Sequence, residues 1–179
     1  MYAMFINALL ILILVFTLLL LCTAVVNMIS GSPFVPSNRR TLDLMLKEAH
    51  LKKGALVYDL GCGDGRLLIR AEKKCGIKGI GYENAPIAFL LALLNKFFHR
   101  SHVSLRFKNF FKSSLKDANF IFLYLGPEVQ VKLAPKLKKE CHRGTLIISN
   151  TFHLPGFKPF KIFPKNKKNK TKTVYIYKI

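Results

Sequence analysis

The sequence predicts an α/β protein: a doubly wound sheet of five parallel strands, closed by a C-terminal antiparallel pair and preceded by one transmembrane helix. Three observations predict it. Short apolar runs alternate with helical patterns from Ala55 to Ser149, as in a parallel sheet wrapped by helices. The first run ends in a glycine-rich turn, Asp59-Leu60-Gly61-Cys62-Gly63-Asp64-Gly65-Arg66, that opens a helix. That is the strand–turn–helix geometry at which such sheets bind nucleotide-like ligands. Finally, no Asp, Glu, Lys or Arg precedes Arg39, although the 179-residue chain carries a formal charge of +20. The molecule therefore has an apolar head and a basic body.

Between Ala3 and Ile29, Leu, Ile, Val, Phe and Ala dominate. As a helix at ~1.5 Å per residue this run spans about 40 Å, enough to cross a bilayer with some tilt. A cleaved signal peptide is the alternative. Against it, no Lys or Arg precedes the run, and the run exceeds the roughly 7–15 residues of an h-region. Lipoprotein cleavage at Cys22 is opposed by Leu21, which stands where a small residue is required. Arg39 and Arg40 follow the span, so the positive-inside rule puts the domain of a single-pass protein on the cytoplasmic side of the membrane. The expected organisation is an anchor over 1–30, a linker over 31–38 marked by Gly31, Pro33 and Pro36, and a globular domain over 39–179. That last part is long enough to bury one core.

Thr41 to Leu51 places Leu42, Met45, Leu46 and Ala49 on one helical face, with Gly54 as the expected stop. Strand Ala55–Leu60, helix Arg66–Lys74, strand Ile77–Tyr82 and helix Pro86–Phe98 follow. Pro86 fits a first helical turn, where no backbone donor is required. Phe89, Leu90, Leu93, Leu94 and Phe97 stand at helical spacing and read as core. Strands Val103–Phe107 and Phe120–Leu125, a helix from Glu128 to about Lys139 and strand Thr145–Ser149 complete the alternation. Lys158–Phe163 and Thr173–Ile179 read as two further strands. Thr151–Phe157 is too short for a crossover helix, so this pair closes a Rossmann-like sheet in antiparallel fashion.

The turn's chemistry narrows its ligand. A dinucleotide turn reads G-x-G-x-x-G and receives a pyrophosphate on its glycines and helix N-terminus. Here Arg66 holds the sixth position and carboxylates stand at Asp59 and Asp64. Two anions repel a pyrophosphate and suit a ligand carrying an ammonium and a sulfonium, S-adenosylmethionine. Glu83 follows the second strand, where a carboxylate accepts both hydrogen bonds of a ribose diol. The cofactor site expected is thus the turn Asp59, Gly61, Cys62, Gly63, Asp64 and Gly65 together with Glu83. Cys22, Cys62, Cys75 and Cys141 form no C-x-x-C pair and the five histidines no ligand spacing, so free thiols and no metal site are expected.

These residues, with Gly81-Tyr82-Glu83, resemble the class I, seven-strand S-adenosylmethionine-dependent methyltransferases. The N-terminal span, Pro33-Phe34-Val35-Pro36 and Tyr124-Leu125-Gly126-Pro127 add a narrower resemblance, to the membrane-anchored protein lysine methyltransferases of mitochondrial type and their prokaryotic relatives. The resemblance covers nearly the whole chain. It implies that Asp59, Gly61, Gly63 and Asp64 hold the methionyl end, Glu83 the ribose, and Asn84 the adenine. Asn109 stands where this superfamily often has an Asp on the adenine amino group, and Asn119 also where relatives often carry Asp. Tyr124, Leu125 and Pro127 form the rim between cofactor methyl and acceptor. Family members methylate lysines of inner-membrane transport and ATP-synthesis proteins, which implies a membrane-associated protein substrate.

Methyl transfer from a sulfonium requires orientation and a neutral nucleophile rather than a strong base. Tyr124 is the candidate to line the acceptor channel and orient an amine, and Glu128 is a candidate proton acceptor. Each also has a plain structural reading: Tyr124 as a packed aromatic at a strand end, Glu128 as a carboxylate favoured by its helix dipole. The charge excess suits an anionic lipid surface. Nucleic acid is a less favoured partner, reached through Lys165, Lys167, Lys168, Lys170 and Lys172. Two rival functions remain open: methylation of RNA or a small molecule, and a catalytically silent, membrane-tethered binding module. The Asn/Asp-Pro-Pro-aromatic run of base-modifying enzymes is absent after the fourth strand.

Overall fold

A computed structural model describes residues 1–30 and 35–179. Gly31 of the expected linker and the Pro33-Phe34 half of the resemblance motif lie outside the described residues. Helix α1, Tyr2–Ser30, is apolar on every side and almost wholly exposed; over Tyr2–Val26 it is long and apolar enough to cross a membrane. Helix α2, Arg39–Ala49, begins at Asn38, whose side chain accepts from the Thr41 N–H at 2.8 Å, and buries Leu42, Met45, Leu46 and Ala49. It stops earlier than Gly54 suggests. His50 takes the left-handed conformation (φ 49°, ψ 50°) and returns its N–H to the Lys47 carbonyl, closing the helix without a glycine.

The alternation then runs β1 Leu56–Leu60, α3 Arg66–Cys75, β2 Lys78–Glu83, α4 Pro86–Phe98 and β3 Ser104–Phe107. After a short 3-10 turn at Phe110–Lys112 come β4 Phe120–Leu123, α5 Pro127–Glu140, β5 Leu146–Asn150, β6 Lys161–Phe163 and β7 Val174–Lys178. The seven strands lie in the order β3-β2-β1-β4-β5-β7-β6. The first five are mutually parallel, and β7 runs antiparallel to both β5 and β6. β4 ends two residues before Leu125, because the Leu125 carbonyl accepts from the buried Gln130 amide at 3.0 Å instead of entering the ladder. β6 starts after Pro159, which has no N–H to give.

The sheet separates two cores. One joins α2 and α3 to Val57, Phe122, Ile148 and Ile176; the other joins α5 to Tyr58, Leu60, Ile121, Leu123 and Tyr177. α4 corrects the reading of its apolar spacing. Its buried residues are Ala88 and Ala92, whereas Leu90, Leu93, Leu94 and Phe97 are 49%, 42%, 44% and 76% exposed. The small residues let α4 lie close to the sheet, and the large ones point away. Periodicity reports that a helix has a special face, not which face turns inward. α1 reaches this helix: the Ile87 N–H donates to Thr23 Oγ1 at 3.3 Å, and Leu19, Thr23 and Val26 form its half-buried stripe.

Candidate functional site

The strand order reverses between β1 and β4, and the carboxyl ends of β1, β2 and β4 meet there. In open α/β sheets this crevice is where ligands bind. Three features of the chain shape it. Gly61, Gly63 and Gly65 all have positive φ (81°, 56° and 73°), so the chain can double back within five residues. The N–H groups of Gly61 and Cys62 both donate to the Tyr82 carbonyl at 2.9 Å, which fastens the turn to β2. Gly81 in β2 leaves room for Cys62: a Cβ there would stand 2.8 Å from its Sγ.

The carboxylates of this turn are not equivalent. Glu83 is buried; its Oε2 accepts from the Gly63 N–H at 2.9 Å, and its Oε1 accepts from Asn84 and Ala85 at 2.8 and 2.9 Å. Three of a carboxylate's roughly four lone-pair positions are thereby taken. One remains for a ligand, not the pair that a diol offers. Asp64 is also committed. Arg66 grips it with Nε at 2.9 and 2.8 Å and Nη2 at 2.5 Å, so its charge is neutralised in place rather than left to the ligand. Asp59 differs: among the described residues no group donates to its side chain. Burial, with Glu83 and Asp64 adding to it, raises its carboxyl to about 8.

A cavity of about 380 Å³ opens over these groups, within the size range of small-molecule pockets. Asp59, Gly61, Cys62, Gly63, Asp64, Glu83, Asn84, Asn109 and Tyr124 all line it. Gly65 is set back behind the turn and does not. The Asn109 side chain caps the short 3-10 turn, its Oδ1 accepting from the Phe111 N–H at 2.9 Å, so its free oxygen capacity is halved. Asn119, away from the cavity, accepts from the Leu56 N–H at 2.8 Å and positions the start of β1.

A family profile described as the ANTKMT methyltransferase domain matches residues 59–161. The chain belongs to this family. It is 33% identical over 150 residues to a protein-lysine N-methyltransferase of Saccharolobus islandicus (strain REY15A), covering 82% of this chain and 93% of that protein. It is 32% identical over 133 residues to the adenine nucleotide translocase lysine N-methyltransferase of Mus musculus, covering 73% of this chain and 57% of the mouse protein. Among solved structures, an RNA methyltransferase from Salinibacter ruber, crystallised with S-adenosyl-L-homocysteine, superimposes with a TM-score of 0.75 at 31% identity. That match covers 81% of this chain and 94% of the Salinibacter chain. The protein is a class I methyltransferase, and S-adenosylmethionine is its cofactor.

The methyltransferase's own geometry fits that cofactor. Gly61 takes φ 81°, a conformation that side chains rarely adopt, and a Cβ there would press on Leu125 Cδ2 at 3.0 Å, so the floor of the cradle favours glycine. Asp59 faces the cavity without a protein donor among the described residues, and a cation beside it would favour its charged form. Tyr124, half-buried, lines the wall beyond the turn with its ring stacked on Phe152 (centroids 6.4 Å, 24°). Glu128 is exposed in the first turn of α5 and does not line the cavity; Val129 and Lys132 of that helix do. Phe110 and Phe111, a tilted pair 4.7 Å apart, form an aromatic wall that sequence reasoning missed. Its signal was present: two adjacent aromatics directly after Asn109. Segment 35–37 and Val26 of α1 complete the rim.

Proposed function

We propose that this methyltransferase transfers a methyl group from S-adenosylmethionine to the side-chain amine of lysine in a membrane-associated protein, with α1 as its anchor and the domain on the cytoplasmic face. The observation that carries the reading is the pairing of an unpartnered Asp59 and a backbone-locked Glu83 in one cradle. The similarity to named lysine methyltransferases over most of the chain supports the acceptor. Bound in the cradle, the cofactor supplies an electrophilic methyl on a sulfonium. Asp59 would balance its ammonium, the last lone pair of Glu83 would take a ribose hydroxyl, and Phe110, Phe111, Asn84 and Asn109 would hold the adenine.

The remaining work is to present a neutral amine in line. A lysine has an ordinary pKa near ~10.4, and an apolar channel lowers it by disfavouring the charged form. Leu125, Tyr124 and the aromatic pair make the mouth apolar, and the Tyr124 hydroxyl orients the nitrogen lone pair. Glu128, outside the cavity, has no part in this. A body of such positive charge repels Lys-rich targets, so the acceptor lysine sits in an acidic or membrane-embedded setting.

The experiment is incubation of the full chain in detergent with methyl-labelled S-adenosylmethionine and, separately, membrane protein, total RNA and lipid. Label on protein lysines is expected. A second reading, RNA methylation, is favoured by the similarity to the Salinibacter RNA methyltransferase and by the chain's positive charge. Label on RNA alone would overturn the lysine assignment in its favour.

A further inference from the structure

α4 presents an apolar face with no protein partner among the described residues. Helical spacing puts Leu90, Leu94 and Phe97 opposite Ala88 and Ala92, and those three with Phe98 are exposed, the two phenylalanines most of all. The face is continuous with the long apolar helix, because α1 packs against the start of α4 through Thr23. Lys96 stands at the flank of this face and Arg100 just past the helix end. Among the described residues neither has a carboxylate within salt-bridge distance.

We infer that the outer face of α4 is a second membrane contact, lying in the headgroup–acyl boundary of an anionic leaflet beside α1, with Lys96 and Arg100 on lipid phosphates. A helix with one apolar face and cations at its flank sits about 5–10 Å deep in that boundary. The occupant is lipid because the face runs on from a helix of bilayer-spanning length. Lys96 and Arg100, at the flank and end of the helix, complement an anionic leaflet. The contact would fix the domain's orientation: a single anchor lets it swivel, and two contacts do not.

The inference rests on α1 as the anchor, and the test separates the two. The chain contains no tryptophan, so a single introduced one reports alone. Phe97→Trp probes α4, Phe16→Trp probes α1, and Phe160→Trp, at the opposite sheet edge, is the control. Each full-length variant is reconstituted in phosphatidylcholine vesicles, with and without phosphatidylglycerol and with brominated chains as quenchers. The expected result is quenching and blue-shifted emission for F16W and F97W and neither for F160W, with F97W quenched more when phosphatidylglycerol is present. Quenching of F16W without F97W overturns the α4 contact and leaves the anchor; absence of both overturns the anchor as well. Equal F97W quenching in neutral vesicles overturns the role given to the cations. A concentration-dependent F97W shift without quenching assigns the face to a second copy of the chain and also overturns the inference. Leu94→Trp repeats the measurement should F97W fail to fold.

Discussion

Asn in place of Asp59 should make the cofactor-free protein more stable and its cofactor binding weaker. Asp59 carries a carboxyl raised from 3.8 to about 8, by burial first and then by Glu83 and Asp64. A raised carboxyl favours folding at low pH. The folded protein keeps a proton that the unfolded chain has lost above 3.8, so stability falls as pH rises from about 4 through about 8. At ~1.4 kcal/mol per pH unit, the deficit at pH 7 is on the order of 4 kcal/mol. Asp59→Asn removes it. Melting by circular dichroism, in detergent and without cofactor, should rise by roughly 10 °C at pH 7 for a chain of this size. The gain should shrink to nearly nothing at pH 4. In calorimetry the same variant should lose about ten- to a hundredfold in S-adenosylmethionine affinity, the worth of one charge-assisted bond at ~1.5–3 kcal/mol. The reasoning is refuted by an unchanged affinity, or by a stability gain that does not depend on pH.

Other substitutions probe other parts of the site. Glu83→Ala orphans the N–H groups of Gly63, Asn84 and Ala85, so cofactor binding should vanish and the protein lose about 2–4 kcal/mol, read by denaturant titration. Gly81→Ala forces a methyl against Cys62 and should cost about 1–3 kcal/mol by the same measure; Cys62→Ala in the same chain should recover part of that loss. Tyr124→Phe keeps the stack on Phe152, so cofactor affinity should hold while turnover drops about tenfold or more; an unchanged rate would reduce Tyr124 to a packed wall. The Cys62 thiol, buried and held well above the ordinary range, should resist iodoacetamide in the native chain and react once the protein is unfolded in denaturant.

The sheet was legible because each strand is a short apolar run between strong stops, and Pro86 marks the first turn of α4 to the residue. The cavity was legible in outline, since Asp59, Gly61 and Glu83 stand at strand ends that any doubly wound order brings together. Relations between side chains were not. Asp64 and Arg66 are two positions apart, yet only the αL geometry of Gly65 sets their carboxylate and guanidinium face to face. Glu83 gives no sign in sequence that backbone N–H groups occupy most of its oxygens. Glu128 lies outside the cavity while Lys132, one turn on along the same helical face, lines it, and spacing alone does not separate the two. The inward side of α4 was misread for a related reason: alanines make a thin, close-packing face that a count of large apolar residues overlooks.

The segment between the first helix and the domain has a consequence for how the enzyme can be handled. The Ser37 hydroxyl accepts from the Asn150 side chain at 3.0 Å, its carbonyl from Arg66 at 3.5 Å, and residues 35–37 with Val26 form part of the cavity wall. A truncation beginning at Arg39 would therefore remove more than a tether. It would open the wall of the cavity, let water in on one side, and take from the Asn150 side chain the hydroxyl to which it donates. A shortened protein that retains its fold but binds its cofactor loosely would be the mark of that missing wall.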